Sequence, residues 1–278
     1  MLRSGNVAFC NHRLNLILMN LFAPNKTWLS WATCLASFFP AVTEAQTQWQ
    51  VREHDVLGRI LALEVHGEIT PASVEILLEA VNAVPDADVR FVVLESGGGD
   101  LRAAMQMGRM MRAQGFDTVV REGASCFSAC VFLLAVGIDK TVDGRVGIHR
   151  PYFVSGDPVR IADEIRELKA LSEKYFGEMN SPERLSEDMF SVDPGKMRIL
   201  TLREMEDYRL NTKDFVAQET DIMRMAQRLE LTRLEYEALR KDMNYYCQVF
   251  AGQMQKMKEC LVEVSARHGV SMRELGYE

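Results

Sequence analysis

Three short stretches of the chain hold residue types that do chemistry. The first, Leu94-Glu95-Ser96-Gly97-Gly98-Gly99-Asp100, places glycines between an apolar run and a helical pattern. A tight glycine turn before a helix leaves backbone N–H groups free to hold a phosphate or an oxyanion. The third glycine of a dinucleotide fingerprint is missing, and no Lys-Ser/Thr follows as a Walker loop requires. The second stretch runs Gly123-Ala124-Ser125-Cys126-Phe127-Ser128-Ala129-Cys130-Val131-Phe132-Leu133-Leu134. Ser128 stands at the start of a very apolar helix, where its hydroxyl either caps the helix or serves as a nucleophile whose developing charge the helix end favours. The third is Val146-Gly147-Ile148-His149-Arg150-Pro151, which puts His149 at a strand end, where a parallel sheet presents functional side chains. Cys126 and Cys130 flank Ser128; they either bond to each other or join His149 as zinc ligands, though no fourth ligand stands at useful spacing.

The elements that must position these residues read as a parallel α/β unit. Arg59–Val65 and Val89–Leu94 are β-rich runs, the second apolar at every position but Arg90, as a strand buried on both faces requires. Between them Thr70 caps a helix with Pro71 at its first position and Val74, Leu77, Leu78 and Val81 on one face. Gly97-Gly98-Gly99 breaks the chain, and a second amphipathic helix carries Met105 to Met111. Thr118-Val119-Val120 is a third strand, followed by a helix over 128–136 and a fourth strand ending on His149. Pro151 to Pro158 is a loop, Val159 to about Met179 a charged helix, and Thr201 to Leu210 a short helix with Thr201 as cap and Glu204 in capping-box position. Strand alternating with helix is the signature of a parallel sheet.

Together the three stretches resemble the proteolytic subunit of the Clp protease, in the Clp protease/crotonase superfamily. That family reads Ser-Pro-Gly-Gly, then Ala-Ser-Met followed by Phe-Leu-Leu, then Ile-His-Gln-Pro. The counterparts here are Ser96-Gly97-Gly98-Gly99, Ser128-Ala129 with Phe132-Leu133-Leu134, and Ile148-His149-Arg150-Pro151. The resemblance covers about residues 58–212. It implies a Clp protease/crotonase-like parallel β-sheet of repeated ββα and βαβ units over 46–212. It also implies Ser128 as nucleophile, His149 as general base, and Gly99 and Ala129, with Gly98 beside them, as oxyanion donors. The family's triad acid aligns with Met197, which cannot orient a histidine; Asp193 is the nearest substitute and Asp188 a poorer one. Asp100 directly after the oxyanion glycines sets a negative charge there unless it points away or pairs with Arg102 or Arg150. The implied activity is an ATP-independent serine peptidase acting on short or unstructured polypeptides, without a cofactor or metal, in a homo-oligomer formed through the helix 159–179. Three rivals share parts of this pattern. They are a catalytically decayed binding or scaffold protein of the same fold, a crotonase-type acyl-CoA enzyme, and a Ser–Lys peptidase, for which Lys140 is the only nearby lysine in sequence.

The remainder of the chain sets the context. The formal net charge is −7, which argues against nucleic acid as the main partner. Residues 1–45 read as a signal peptide, with an apolar stretch from Trp28 to Val42 and small residues before Gln46; Met19 gives a signal of ordinary length. The expected location is therefore periplasmic or secreted, with no membrane span after cleavage. Cleavage removes Cys10 and Cys34, leaving Cys126, Cys130, Cys247 and Cys260. The spacing makes Cys126–Cys130 and Cys247–Cys260 the simplest disulfides, without fixing them. From Ile222 to Phe250 apolar residues recur in steps of three and four, a heptad seam that slips at Ala251-Gly252 and resumes at Met254. Residues 213–278 are thus a helical extension that either meets a partner or packs on itself, and the second disulfide needs a hairpin at Gly252.

Overall fold

The structure, a computed structural model, describes residues 46–54, 58–152, 157–250 and 253–271. The expected signal segment 1–45 and the Ala251-Gly252 break lie outside the described residues. Everything described falls in one compact unit, Thr43–Glu278.

The chain folds as an α/β domain on a mixed, mostly parallel eight-stranded sheet. Strand β1 (Gln46–His54), unanticipated from sequence, pairs antiparallel with β2 (Gly58–Ile69). Helix α1 (Pro71–Ala83) begins where Thr70 and Pro71 predict, with the Ser73 hydroxyl accepting the Thr70 N–H. It crosses to β3 (Val89–Gly99), which lies parallel to β2. β3 then forks. Its first half pairs with β4 (Asp117–Val120), which continues to β6 (Lys140–Val142). At Ser96 its second half pairs with β5 (Ser125–Phe127), which continues to β7 (Arg145–Ile148) and, antiparallel, to β8 (Arg198–Ile199). The fork is what brings the glycine stretch, the serine turn and the histidine strand side by side.

The glycines do not break the chain, as the sequence pattern suggests; they extend β3. Gly99 sits at φ +140° in register with Ile69, and a Cβ there would lie 2.2 Å from the Ile69 carbonyl oxygen. Only glycine permits that approach. Asp100 then starts α2 (Leu101–Ala113), its Oδ1 accepting the Ala103 N–H at 2.8 Å. The helix after Ser128 is shorter than expected, α3 (Cys130–Ala135), because Ser128 itself is left-handed at φ +55° and cannot belong to it.

The core spans both halves of the fork. α3 is fully buried, and α4 (Pro158–Glu178) packs across it through Phe132, Tyr175 and Phe176, with ring centroids 4.6 to 5.8 Å apart. Tyr175 donates to the Phe132 carbonyl at 2.8 Å and fills the space over Gly108 of α2. Burial holds its hydroxyl well above the usual tyrosine range. Helix α5 (Arg184–Ser191) follows, then β8 and α6 (Leu202–Asp207), where Thr201 and Glu204 form the expected capping box.

The heptad seam is not one long helix. It is divided into α7 (Phe215–Arg228), α8 (Arg233–Cys247) and α9 (Met254–Arg267). Glu230 at φ +54° terminates the first, and a capping box of Thr232 with Glu235 starts the second. Thr232-Arg-Leu-Glu235 was readable as a helix start and overrides the seam. Leu229 and Leu239 of the seam cluster with Val270, just past α9, and Leu261 and Val264 of its resumed part with Cys247 at the end of α8.

Candidate functional site

The site is built on the second arm of the fork. β5 delivers Ser128 into a left-handed turn whose N–H donates to the Gly147 carbonyl of β7 at 2.9 Å. A non-glycine residue there costs on the order of 1–3 kcal/mol, so the surroundings must hold it. Two features do. Cys126 and Cys130 form a disulfide across the turn, both wholly buried with Cα atoms 5.2 Å apart. Gly98 of β3 lies against it from the other side: a Cβ on Gly98 would stand 2.8 Å from the Ser128 Cβ, 3.0 Å from the Phe127 carbonyl and 3.1 Å from the Ala129 nitrogen. The Ser128 carbonyl accepts the first helical bond from Val131, but its hydroxyl caps nothing and bonds to none of the described residues. The capping use of this serine is therefore not realised.

Of the three expected oxyanion donors, each has a distinct environment. Ala129 is buried, follows the serine and donates its N–H to none of the described residues. The Gly98 N–H is engaged by the Ser96 hydroxyl at 3.1 Å, which itself donates to the Gly67 carbonyl at 2.5 Å. Gly98 thus contributes room, not a donor. Gly99 is pinned to the end of β2, beside Gly98. The Asp100 carboxylate is committed to capping α2, and Arg102 pairs with Glu164 and Glu167.

His149 follows β7 directly and is 9% exposed. It stands two positions, about 7 Å of strand, beyond Gly147, whose carbonyl accepts the Ser128 N–H. Among the described residues no hydrogen bond joins the two side chains. His149 Nδ1 lies 2.8 Å from the Arg150 carbonyl oxygen. A carbonyl can only accept, so Nδ1 carries a proton, and in the neutral ring the lone pair falls to Nε2. The backbone of Arg150 is itself tethered, its N–H donating to the Val192 carbonyl at 3.1 Å. This orienting carbonyl has no sequence signal, because every residue supplies one.

No carboxylate among the described residues bonds to His149. Asp193 is exposed and its Oδ1 accepts the Gly195 N–H at 3.0 Å. Asp188 accepts the Tyr208 hydroxyl and lies 3.7 Å from Arg198. β7 and β8 pair Gly147 with Ile199 and Ile148 with Arg198; the next pair in that register is His149 with Met197. Met197 instead packs its thioether over Gly147, where a Cβ would meet the sulfur at 2.8 Å.

Lys140, the lysine a Ser–Lys site would need, lies elsewhere. It is buried against Gly137, past the C-terminal end of α3, whereas Ser128 precedes its N-terminal end. Burial, only partly offset by Asp214, lowers its ammonium to about 8. The second disulfide, Cys247–Cys260, joins α8 to α9. With the four described cysteines bonded in pairs, Cys126 and Cys130 are not thiolate ligands.

No protein-family model matches the chain, and neither does any curated protein. The structure itself defines an α/β domain with a mixed, mostly parallel sheet. On it, a strained, disulfide-bracketed serine turn stands beside a strand-end histidine.

Proposed function

We propose that this protein is an exported, ATP-independent serine hydrolase, acting as a peptidase on short or unstructured polypeptides in the manner of the Clp proteolytic subunit it resembles. The observation that carries the reading is Ser128. It is held in a left-handed turn by a buried disulfide and by the close approach of Gly98, yet its hydroxyl bonds to none of the described residues. Strain maintained around an unused nucleophile is a mark of a functional site.

In this reading His149 Nε2 takes the Ser128 proton as the oxygen attacks a substrate carbonyl carbon. The Ala129 N–H, with Gly99 as the second donor, holds the developing oxyanion. The imidazolium then protonates the leaving amine, and water hydrolyses the acyl-enzyme by the reverse sequence. The Arg150 carbonyl, not Asp193, keeps the imidazole in the working tautomer. A neutral carbonyl stabilises an imidazolium less than a carboxylate does, so turnover is expected to be slow. Two disulfides agree with an oxidising compartment, the periplasm or the exterior, and among the described residues no helix is long and apolar enough to cross a membrane.

A fluorophosphonate probe tests the assignment. The purified protein is expected to be labelled, Ser128→Ala to lose labelling entirely, and His149→Ala to label at least about 100-fold more slowly, as loss of a general base does. Labelling that persists in Ser128→Ala overturns the nucleophile. Met197 opposite His149 favours a second reading, a scaffold whose triad has decayed. A well-folded wild type that takes no probe and cleaves no peptide library would establish that one.

A further inference from the structure

We propose a second ligand site, unrelated to the serine, that takes a small amphiphilic anion: an apolar body ending in a carboxylate or phosphate. A cavity of about 420 Å³ lies where α7 and α8 meet the loop between α1 and β3. Its position at the Val89 end of β3 sets it at the opposite end of an eleven-residue strand from Gly98, about 30 Å from the candidate catalytic turn. At about 30 Å³ per water-sized atom it admits a ligand with on the order of a dozen non-hydrogen atoms.

Its charge runs against the rest of the chain. Four arginines line it, Arg90, Arg224, Arg228 and Arg240, in a protein of net charge −7. Arg90 is held at the wall by donating to the carbonyls of Pro85 and Ala87 at 2.7 Å each. Arg240 stacks over Tyr236 at 5.9 Å. Two carboxylates reach the wall, and both are committed in part to groups at its edge. Asp86 is bidentate to Arg59, and Asp88 accepts the Arg59 backbone N–H at 2.9 Å while Arg228 stands 3.8 Å away. The remaining lining is apolar: Leu239, Met225, Met243 and the ring of Tyr236. Guanidinium groups are suited to planar or tetrahedral anions, and methionine and leucine adapt to an acyl or aryl body.

Calorimetric titration of the purified protein with decanoate and with decyl phosphate tests this, with decanol as neutral control and inorganic phosphate as headgroup alone. Saturable micromolar binding of one or both anions is expected, and their ratio distinguishes a carboxylate site from a phosphate site. The double variant Arg228→Glu/Arg240→Glu, at two exposed positions, is expected to weaken that binding at least 10-fold. Loss of the partly exposed Arg228–Asp88 pair and of the Tyr236 stacking should lower its melting temperature by a few degrees at most, and its labelling by the serine probe should stay unchanged, so this result is independent of the hydrolase reading. Three results would each overturn the site: no binding by either anion below millimolar, decanol or inorganic phosphate binding as tightly as the amphiphiles, or undiminished affinity in a folded double variant.

Discussion

Two regions of this molecule are closed by a disulfide, and the bonds serve opposite purposes. Cys126–Cys130 joins residues four apart, wholly inside the core, around a serine in a strained conformation. Cys247–Cys260 joins residues thirteen apart and closes α8 onto α9, where the core is thin and Tyr245, Tyr246 and Val249 remain exposed. By loop-closure entropy the short bridge adds about 2 kcal/mol and the long one about 3 kcal/mol. The longer bridge is the one a small helical hairpin needs in order to persist. The shorter gains little through entropy, and its value lies in holding one geometry. A disulfide can therefore stabilise a fold or specify a conformation, and the burial and backbone around it tell which.

This contrast can be tested by breaking each side. The largest effect is expected from Gly98→Ala. Its φ of +111° disfavours any side chain, and the new Cβ meets Ser128, Phe127 and Ala129 at 2.8 to 3.1 Å. A loss of roughly 2–4 kcal/mol in denaturant unfolding is expected, with probe labelling of Ser128 abolished. Unchanged labelling would show that the β3 tip and the serine turn do not act together. Next, Cys247→Ser/Cys260→Ser is expected to cost about 3 kcal/mol while leaving labelling per folded molecule intact. Cys126→Ala/Cys130→Ala should reverse that balance, costing about 2 kcal/mol by the same entropy yet slowing labelling of Ser128 at least several-fold. If both pairs alter stability and neither alters labelling, the distinction between the two bridges is wrong.

The smallest effect concerns the segment that follows β8. Hydrogen bonds from the Thr201 backbone, Arg198 and the Thr201 hydroxyl lower the Glu204 carboxyl to about 2. A depressed carboxylate stabilises the fold fully above its unfolded value near 4.5, and that stabilisation is lost as pH falls from there toward 2. Glu204→Gln is therefore expected to flatten the acid limb of a melting-temperature profile between pH 4.5 and 2, and Thr201→Ala to cost about 1 kcal/mol at neutral pH. An acid limb identical to wild type in Glu204→Gln would remove this group from the account.

Much of the arrangement was legible in advance, for identifiable reasons. Thr70-Pro71 and Thr201 with Glu204 mark helix starts because proline's fixed φ suits a first turn and because side chains within one turn meet orphan backbone groups, Ser73 accepting the Thr70 N–H and Glu204 the Thr201 N–H. Val89–Leu94 reads as a central strand because its apolar run, continuous and buried over Phe91–Leu94, is what burial on both faces demands. The misses share a cause as well. β1 has a mixed composition and exists because β2 offers it an edge, and β5, β6 and β8 are too short for any periodicity. The heptad seam misled because a period of three and four describes any helix face that is buried, whether by a partner or by the next helix along the same chain.

The sequence by itself determined the chemical inventory: a serine and a histidine at element ends, a glycine tract that tolerates close contact, four cysteines at two short spacings, and a methionine where an acid was sought. Local physics decides those features, since caps, turns and apolar runs act over a few residues. Tertiary structure alone decided what each became. It placed the glycines in a strand, turned the Asp193 carboxylate to a neighbouring amide, set the Asp100 carboxylate to cap a helix and aimed the His149 Nδ1–H at the Arg150 carbonyl. These outcomes depend on backbone N–H and C=O groups that every residue carries alike, so only the path of the folded chain can tell which of them meet.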